Sequence, residues 1–344
     1  MTDDDAWLTT FLASEAATAP RLAGYYHHNY IVPRRGRPVV VRVPIAGGPL
    51  MDLRRIPETT VLTFLAAHAF PAPRLLHTAA DGRAVVHSFV AGQVLNAVYV
   101  DRLPLPDWIA PHLAAQLARL HALPPDTLAP ACADLATSPD TRPFLRALLR
   151  FTEAIYQTWL PQVAPLYRAL HIPAQPFAIV AAQVDQLRPH PFVLCHCDVH
   201  RKNLILHPDA PQLTMLDWEI ALVADPAYDI AVHFHKMGYT PEQEAAFLHA
   251  YLAHTGAADD VGTWAGQIAI YRSLERVKSA IVDGIRYAGD VRQPGLRPAQ
   301  RHDYARRYQR KLELAWRTWG IDPRDVGLTT EAISALLMTA PLSG

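Results

Sequence analysis

Apolar residues recur along this chain with two different periods, and the change from one to the other divides it. In residues 5–17, Trp7, Leu8, Phe11 and Leu12 fall at helical spacing and predict a short amphipathic helix. Residues 25–32 and 38–44 are rich in β-branched and aromatic side chains and flank Arg34-Arg35-Gly36-Arg37, the pattern of a hairpin. Beyond the loop Ala46-Gly47-Gly48-Pro49, residues 57–70 place Val61, Leu62, Leu65 and Ala69 on one helical face, with Glu58 in the first turn. Two more strands are predicted at 74–78 and 83–90, joined by Ala80-Asp81-Gly82. These elements describe a small antiparallel sheet with a helix.

From Ala91-Gly92 onward the helical period dominates. Residues 109–123 repeat Leu113, Leu117 and Leu120, and helices are also predicted at 141–166 and 174–187. An apolar extended run at 191–196 interrupts them, followed by a hairpin of 203–207 and 212–216 closed by Pro208-Asp209-Ala210. Asp225 followed by Pro226 is an N-cap with proline at the first helical position. Helices over 241–253, 263–287, 298–319 and 330–338 complete the chain. The fold class expected is α+β: a bilobal architecture with a sheet-bearing N-lobe over residues 1–91 and a larger, mainly helical C-lobe over 92–344.

Composition fits that division. At 344 residues the chain exceeds the size at which one core usually stops growing. Half of its residues are apolar and the formal net charge is zero, so no basic excess points to nucleic acid. No apolar run is long enough to cross a bilayer, and the acidic start Met1-Thr2-Asp3-Asp4-Asp5 lacks the basic region of a signal peptide. A cytoplasmic location without membrane attachment is expected. Cys132, Cys195 and Cys197 do not form a disulfide framework by count or spacing. Cys195-His196-Cys197 could pass for metal ligands, but an extended run points alternate side chains to opposite faces, and small core thiols are the reading adopted.

The chemistry concentrates in Cys195-His196-Cys197-Asp198-Val199-His200-Arg201-Lys202-Asn203 and, shortly after, Met215-Leu216-Asp217-Trp218-Glu219. An aspartate, an asparagine and a second aspartate in this order can hold a metal–nucleotide and receive a proton from an attacking hydroxyl, which is the requirement of phosphoryl transfer. His196-x-Asp198 with Asn203 fits H-x-D-x-x-x-x-N, and Asp217 takes the place of the aspartate in D-F-G. With Leu-Asp-Trp-Glu in place of that tripeptide, and with Asp225-Pro226-Ala227-Tyr228-Asp229-Ile230-Ala231 downstream, the chain resembles the aminoglycoside phosphotransferase and choline kinase superfamily of small-molecule kinases. There H-G-D-x-H-x-x-N, I-D-[FW]-[ED] and D-P-x-x-D-[LI]-A recur in the same order. Cys197 stands where that family usually has glycine. Val85 to Gly92 is similar to the hinge between its lobes, and Leu117-Ala118-Arg119-Leu120-His121 to its first C-lobe helix. The resemblance extends over roughly residues 20–255 and implies a protein-kinase-like fold.

The resemblance also implies roles. Asp198 would be the catalytic base, His196 the residue holding its loop, Asn203 and Asp217 the Mg²⁺ ligands, and Asp229 a cap or loop partner. Glu219 is either a further metal-shell carboxylate or a solvated neighbour. The family's phosphate-binding lysine has no counterpart, because the first lysine of this chain is Lys202; Arg42 occupies the matching strand, with Glu58 as its helix partner. The nucleotide, ATP or GTP, would meet the glycine-poor loop Gly24-Tyr25-Tyr26-His27-His28-Asn29, with Asn29 matching a family asparagine, and His87 and Phe89 of the hinge segment. The acceptor would be a hydroxyl of a small molecule: an aminoglycoside or other antibiotic, or a choline-, sugar-, amino-acid- or nucleoside-like metabolite. A nucleotide-binding pseudoenzyme or regulator is the alternative from another class, and a metallohydrolase a third. His233, His235 and Lys236 are expected at a surface or cleft, Trp264, Tyr271, Leu274 and Val277 in a helix core, and Glu275, Arg276, Asp283 and Arg286 on a solvated face or along the acceptor site.

Overall fold

A computed structural model describes residues 2–16, 18–22, 27–45, 50–100, 104–256 and 260–340. The chain folds as two compact units, Met1–Ala131 with Val193–Val223 and Lys236–Gly256, and Cys132–Phe192 with Ala224–His235 and Ala257–Gly344.

The first unit opens with α1 (Asp3–Thr10), which Thr2 and Asp5 start with a reciprocal capping box and which runs on into a π-helical turn at Phe11–Glu15. Next come β1 (Arg21–Leu22), β2 (His27–Arg34), β3 (Arg37–Pro44), α2 (Glu58–Ala67), β4 (Leu75–Thr78) and β5 (Val85–Ser88). The strands form one antiparallel sheet in the order β1-β2-β3-β5-β4. Its register pairs Tyr30 with Val41, Asn29 with Arg42 and Val40 with His87. Directly opposed residues share a face and successive residues alternate between faces. One face therefore presents Tyr30, Val32, Val39, Val41 and Val86, which are buried with Leu8 and Phe11 in a single apolar cluster. The other face carries His27, Asn29, Arg42 and His87. Two expected loops, 46–49 and the Gly24-Tyr25-Tyr26 part of the nucleotide loop, lie outside the described residues.

Helix α2 buries Val61, Leu62 and Leu65 as its spacing requires, but Ala69 is not on that face. The helix stops at Ala67, Ala69 turns to φ 50°, and the Phe70 N–H donates to Leu65 O at 2.9 Å, so Phe70 takes the buried place. This is a Schellman closure, in which a left-handed residue lets the next N–H reach back five residues.

Beyond β5 the first unit continues with β6 (Gln93–Val94), α3 (Leu95–Val98) and α4 (Ile109–His121). Gly92 sits at φ 138°, and a Cβ there would lie 2.4 Å from Leu206 O. Only glycine fits both constraints.

The second unit begins with the long helix α5 (Thr141–Ala169). The predicted helix over 174–187 is instead a chain of short turns, α6 (Ala178–Ala181) and a 3₁₀ turn at Val184–Gln186. Phe177, Val180, Val184 and Leu187 are all buried, so the apolar spacing is helical although i→i−4 bonds at Ala181 and Ala182 give way to i→i−3 bonds on either side. The chain then returns to the first unit with β7 (Val193–Cys195), β8 (Leu204–Leu206), β9 (Leu213–Met215) and β10 (Leu222–Ala224). Strands β6, β8 and β9 make a three-stranded antiparallel sheet, and β7 pairs with β10. Helices α7 (Pro226–Met237), α8 (Pro241–Thr255), α9 (Val261–Asp290), α10 (Pro298–Thr318), α11 (Pro323–Val326) and α12 (Thr330–Thr339) follow. Within the second unit α9 is the axis: Tyr167 and Tyr308 donate to its carbonyls at Ile281 and Ala280, at 3.0 and 2.6 Å. Trp264, Tyr271, Leu274 and Val277 are buried along it, as expected of a core face. Among the described residues no helix is long and apolar enough to cross a membrane.

Gly92→Ala is expected to cost about 2–4 kcal/mol, from left-handed strain together with the collision at Leu206. Urea denaturation of the pair measures it, and a loss under about 1 kcal/mol would show that the β6–β8 contact relaxes freely.

Candidate functional site

The loop after β7 is held from both sides by its own side chains. The His196 Nε2–H donates to Leu216 O at 3.0 Å while its Nδ1 accepts the Asp198 N–H at 3.2 Å, which fixes both tautomer and ring. Its ring packs on Trp218 with centroids 4.3 Å apart. Between them Cys197 adopts φ 63°, the left-handed region that glycine occupies most cheaply. That geometry explains the glycine of the motif; here the strain falls on cysteine. All three cysteines are buried and none is in a disulfide. The buried Arg201 anchors the far side of the loop, donating to Met237 O at 2.8 Å and Tyr99 O at 3.1 Å.

Asp198 is thereby presented with both oxygens engaged. Asn203 donates from Nδ2 to the Asp198 Oδ2 and to its backbone O, each at 3.1 Å. Lys236 Nζ donates to Oδ1, and His200 Nε2 lies 3.5 Å from the same atom. Burial works to raise the Asp198 carboxyl, but Lys236 and His200 outweigh it and hold the group well below the usual carboxylate range. At neutral pH it is ionised, able to accept and orient a hydroxyl hydrogen and a poor reservoir for a proton.

The hairpin β8–β9 joins this loop to the second motif, since the Leu216 N–H donates to Asn203 O at 2.8 Å. Asp217 follows at φ 66°. Arg42 is the centre of the arrangement around it. Its Nη1 reaches Glu58 Oε1 at 2.8 Å, and its Nη2 reaches Asp217 Oδ1 at 2.8 Å and Glu219 Oε2 at 3.2 Å. Glu219 also meets His27 Nδ1 at 3.0 Å, and Glu58 Oε1 accepts the Trp218 N–H at 3.1 Å. Burial pushes the Glu58 carboxyl up to about 7, an effect that Arg42 opposes and that Asp217 and Glu219 reinforce. His87 Nε2 is buried, lacks a hydrogen-bond partner and stands 3.9 Å from Glu58 Oε2; burial, with Arg42 beside it, holds the ring down at about 3, so it is neutral.

The predicted residues thus fall into two neighbouring groups of the first unit. Arg42, Glu58 and Asp217 are in direct contact, and Asp198, His196 and Asn203 form the loop. Asn29 lies opposite Arg42 on the same face of the sheet, and Phe89, just past β5, is exposed. Glu219 is buried and bonded, which removes the solvated reading. His233 is wholly buried, which corrects its expected surface or cleft position, whereas Lys236, one turn further along α7, is exposed. Glu275 is buried against Lys278, and Asp283 meets Arg286 and Lys311, so neither is on a solvated face. The sequence put His27 in the nucleotide loop and Lys236 at a surface or cleft, but assigned neither its contact with Glu219 or Asp198. The signal available for Lys236 was its rarity, for it is one of four lysines in the chain.

The oxygens of Asn203 and Asp217 suit a hard divalent cation. Asn203 spends its amide N–H groups on Asp198, which turns its carbonyl oxygen to the other side, and Asp217 offers a carboxylate; such a donor set fits Mg²⁺.

Comparison with known proteins adds to this geometry. The sequence profile described as the APH phosphotransferase enzyme family matches residues 18–265. An N-acetylmuramate/N-acetylglucosamine kinase of Caulobacter vibrioides is 40% identical over 83 residues, a stretch spanning only 23% of this chain and 23% of that protein. Among solved structures, a choline/ethanolamine kinase family protein of Mesorhizobium loti aligns over 98% of this chain and 99% of its own, with TM-score 0.56 and 17% identity. An ADP-bound aminoglycoside phosphotransferase aligns over 91% of this chain and 99% of its own, with TM-score 0.54 and 13% identity. These structural likenesses establish a kinase-like phosphotransferase fold.

A test of the Arg42 cluster lies in the pH dependence of stability. The folded value of Glu58, about 7, is above the ordinary 4.5, so its contribution is full below that ordinary value and is lost as pH rises through the folded one. Replacing it by Gln removes this titration. Between about pH 5 and about pH 8 the Glu58→Gln variant should gain on wild type by up to about 3 kcal/mol, read from urea denaturation across that range. Parallel pH curves for the two proteins would mean that Arg42 keeps Glu58 ionised throughout.

Proposed function

Because the chain belongs to the APH phosphotransferase enzyme family, whose profile covers residues 18–265, it is a phosphotransferase, and we propose that it moves the γ-phosphoryl of ATP or GTP, with Mg²⁺, to a hydroxyl of a small molecule. The observation that carries the reading is the double grip of Asn203 on Asp198, which places an ionised carboxylate beside an amide carbonyl and, one hairpin step away, the Asp217 carboxylate. In this reading Asp198 orients the acceptor hydroxyl and takes its proton late, as the loose transition state resolves. Asn203 and Asp217 would hold Mg²⁺, which when bound neutralises charge on the phosphate oxygens. Arg42 supplies the phosphate-directed cation usually given by lysine, with Glu58 positioning it. Asn29 and His87, on the same sheet face, and Phe89 line the nucleotide side, and the change of lobes falls at residues 91–92.

For the acceptor, a sugar hydroxyl is the reading we favour, supported by the 40% identity to a sugar kinase over 83 residues. The family fold also serves aminoglycoside acceptors, so an antibiotic belongs in the panel.

The decisive measurement is nucleotide-dependent transfer across amino sugars, neutral sugars, choline analogues and aminoglycosides, read by ADP release and by mass of the product. Asp198→Ala should lower kcat by about 10²–10⁴-fold with nucleotide binding retained. Asp217→Ala should abolish Mg²⁺-dependent nucleotide binding, whereas Arg42→Ala should mainly weaken affinity for the triphosphate. Nucleotide binding without transfer to any acceptor, and indifference to Asp198→Ala, would turn the reading into that of a nucleotide-binding regulator.

A further inference from the structure

The carboxylate assigned to the acceptor hydroxyl does not stand in an acidic surrounding. Asp198 Oδ1 is met by the Lys236 ammonium and, at 3.5 Å, by His200 Nε2, while Oδ2 is met by the Asn203 amide. These side-chain partners of the carboxylate are all hydrogen-bond donors or cations. Lys236 lies in the last turn of α7, where the helix's terminal carbonyls favour a positive charge, and its side chain is about one third exposed, at 35%. A molecule whose hydroxyl reaches Oδ1 comes within bonding range of that ammonium as well.

We propose that Lys236 is a positioning and acceptor-selecting residue: it fixes the rotamer of Asp198 and presents a cation beside the reacting hydroxyl, so that the favoured acceptors carry a carboxylate or similarly electron-rich oxygen there and polycationic acceptors are disfavoured. This inference rests on the phosphotransferase role of Asp198. The reasoning is electrostatic. A single carboxylate already neutralised by an ammonium exerts little pull on a polycation, whereas an anionic substituent gains a charge-assisted hydrogen bond in a partly buried place. Lysine suits the task because its point charge can serve a protein carboxylate and a ligand oxygen together, each along a different N–H.

N-acetylmuramate and N-acetylglucosamine form a matched probe pair, because they differ by a lactyl carboxylate. Binding of each, and of a polycationic aminoglycoside, is measured calorimetrically with a non-hydrolysable ATP analogue and Mg²⁺, and turnover by ADP release, for wild type, Lys236→Arg and Lys236→Met. Wild type should bind the acidic sugar at least about tenfold more tightly than the neutral one. Lys236→Met should erase that preference, chiefly in Kd and KM, and lower kcat for both sugars as Asp198 loses its orientation; Lys236→Arg should restore part of each. An acid-to-neutral ratio that Lys236→Met leaves unchanged overturns the inference, as does wild type preferring the aminoglycoside. Binding preference lost in the Met variant without any transfer upholds the inference while the proposed function fails. Transfer to another acceptor with no binding of the acidic sugar does the reverse.

Discussion

The first unit depends on one buried cation. The Arg42 guanidinium is removed from water and must be matched, and it is matched by carboxylates from two distant places in the chain: Glu58 at the start of α2 and the Asp217–Glu219 turn after β9. A charge cluster of this kind is a poor source of net stability, since desolvation offsets much of its attraction. Its value is in specifying position. The register of β2 on β3, the point at which α2 begins and the left-handed turn at Asp217 must all agree for the four groups to meet. The excess of carboxylate over guanidinium is visible in Glu58, which is driven up towards neutrality by burial and by its acidic neighbours.

The sheet makes that arrangement possible by separating its two faces. Tyr30, Val32, Val39, Val41 and Val86 spend their side chains on the apolar cluster with α1, which leaves the intervening residues, His27, Asn29, Arg42 and His87, on the opposite face. A slip of one residue between β2 and β3 would exchange the faces and bury Arg42 in hydrocarbon. The apolar packing thus protects the register that the polar site needs. On the loop side the same role falls to backbone geometry, with Cys197 and Asp217 both held at positive φ so that His196 and Asp198 point to their separate partners.

Much of this was legible in the residue order. Period and turn chemistry located the hairpin, both sheets' main strands and nearly all the long helices, because those signals are local. The motif spacing singled out Asp198, Asn203 and Asp217 for the same reason: a loop and a hairpin bring them together within about twenty residues of chain. Three kinds of feature were not legible. The run 174–187 kept helical spacing while its hydrogen bonds tightened into short turns, a change that apolar periodicity does not register. His27 and Lys236 reach the site from β2 and α7, contacts set by tertiary packing alone. Glu275 and Asp283 carry charge in the sequence yet are enclosed with lysines from their own and a neighbouring helix, and a charge pattern alone does not distinguish that from solvation.

The two cations of the site also show why arginine and lysine are distributed as they are. Position 42 must satisfy three carboxylates at once from two nitrogens, which a planar fork does with little further loss of freedom and an ammonium does not. A lysine there would leave one carboxylate of the cluster unpartnered in a buried place, at a cost of about 1–3 kcal/mol or more. Beside Asp198 the requirement is the opposite. In the proposed reaction this carboxylate takes a hydroxyl hydrogen, and its partner is a compact charge approaching one oxygen while Asn203 holds the other. A guanidinium there would keep the charge but approach as a planar fork instead of a point. In a chain so poor in lysine, one lysine stands at Asp198 and an arginine amid Glu58, Asp217 and Glu219, each matched to the geometry of the carboxylates it meets.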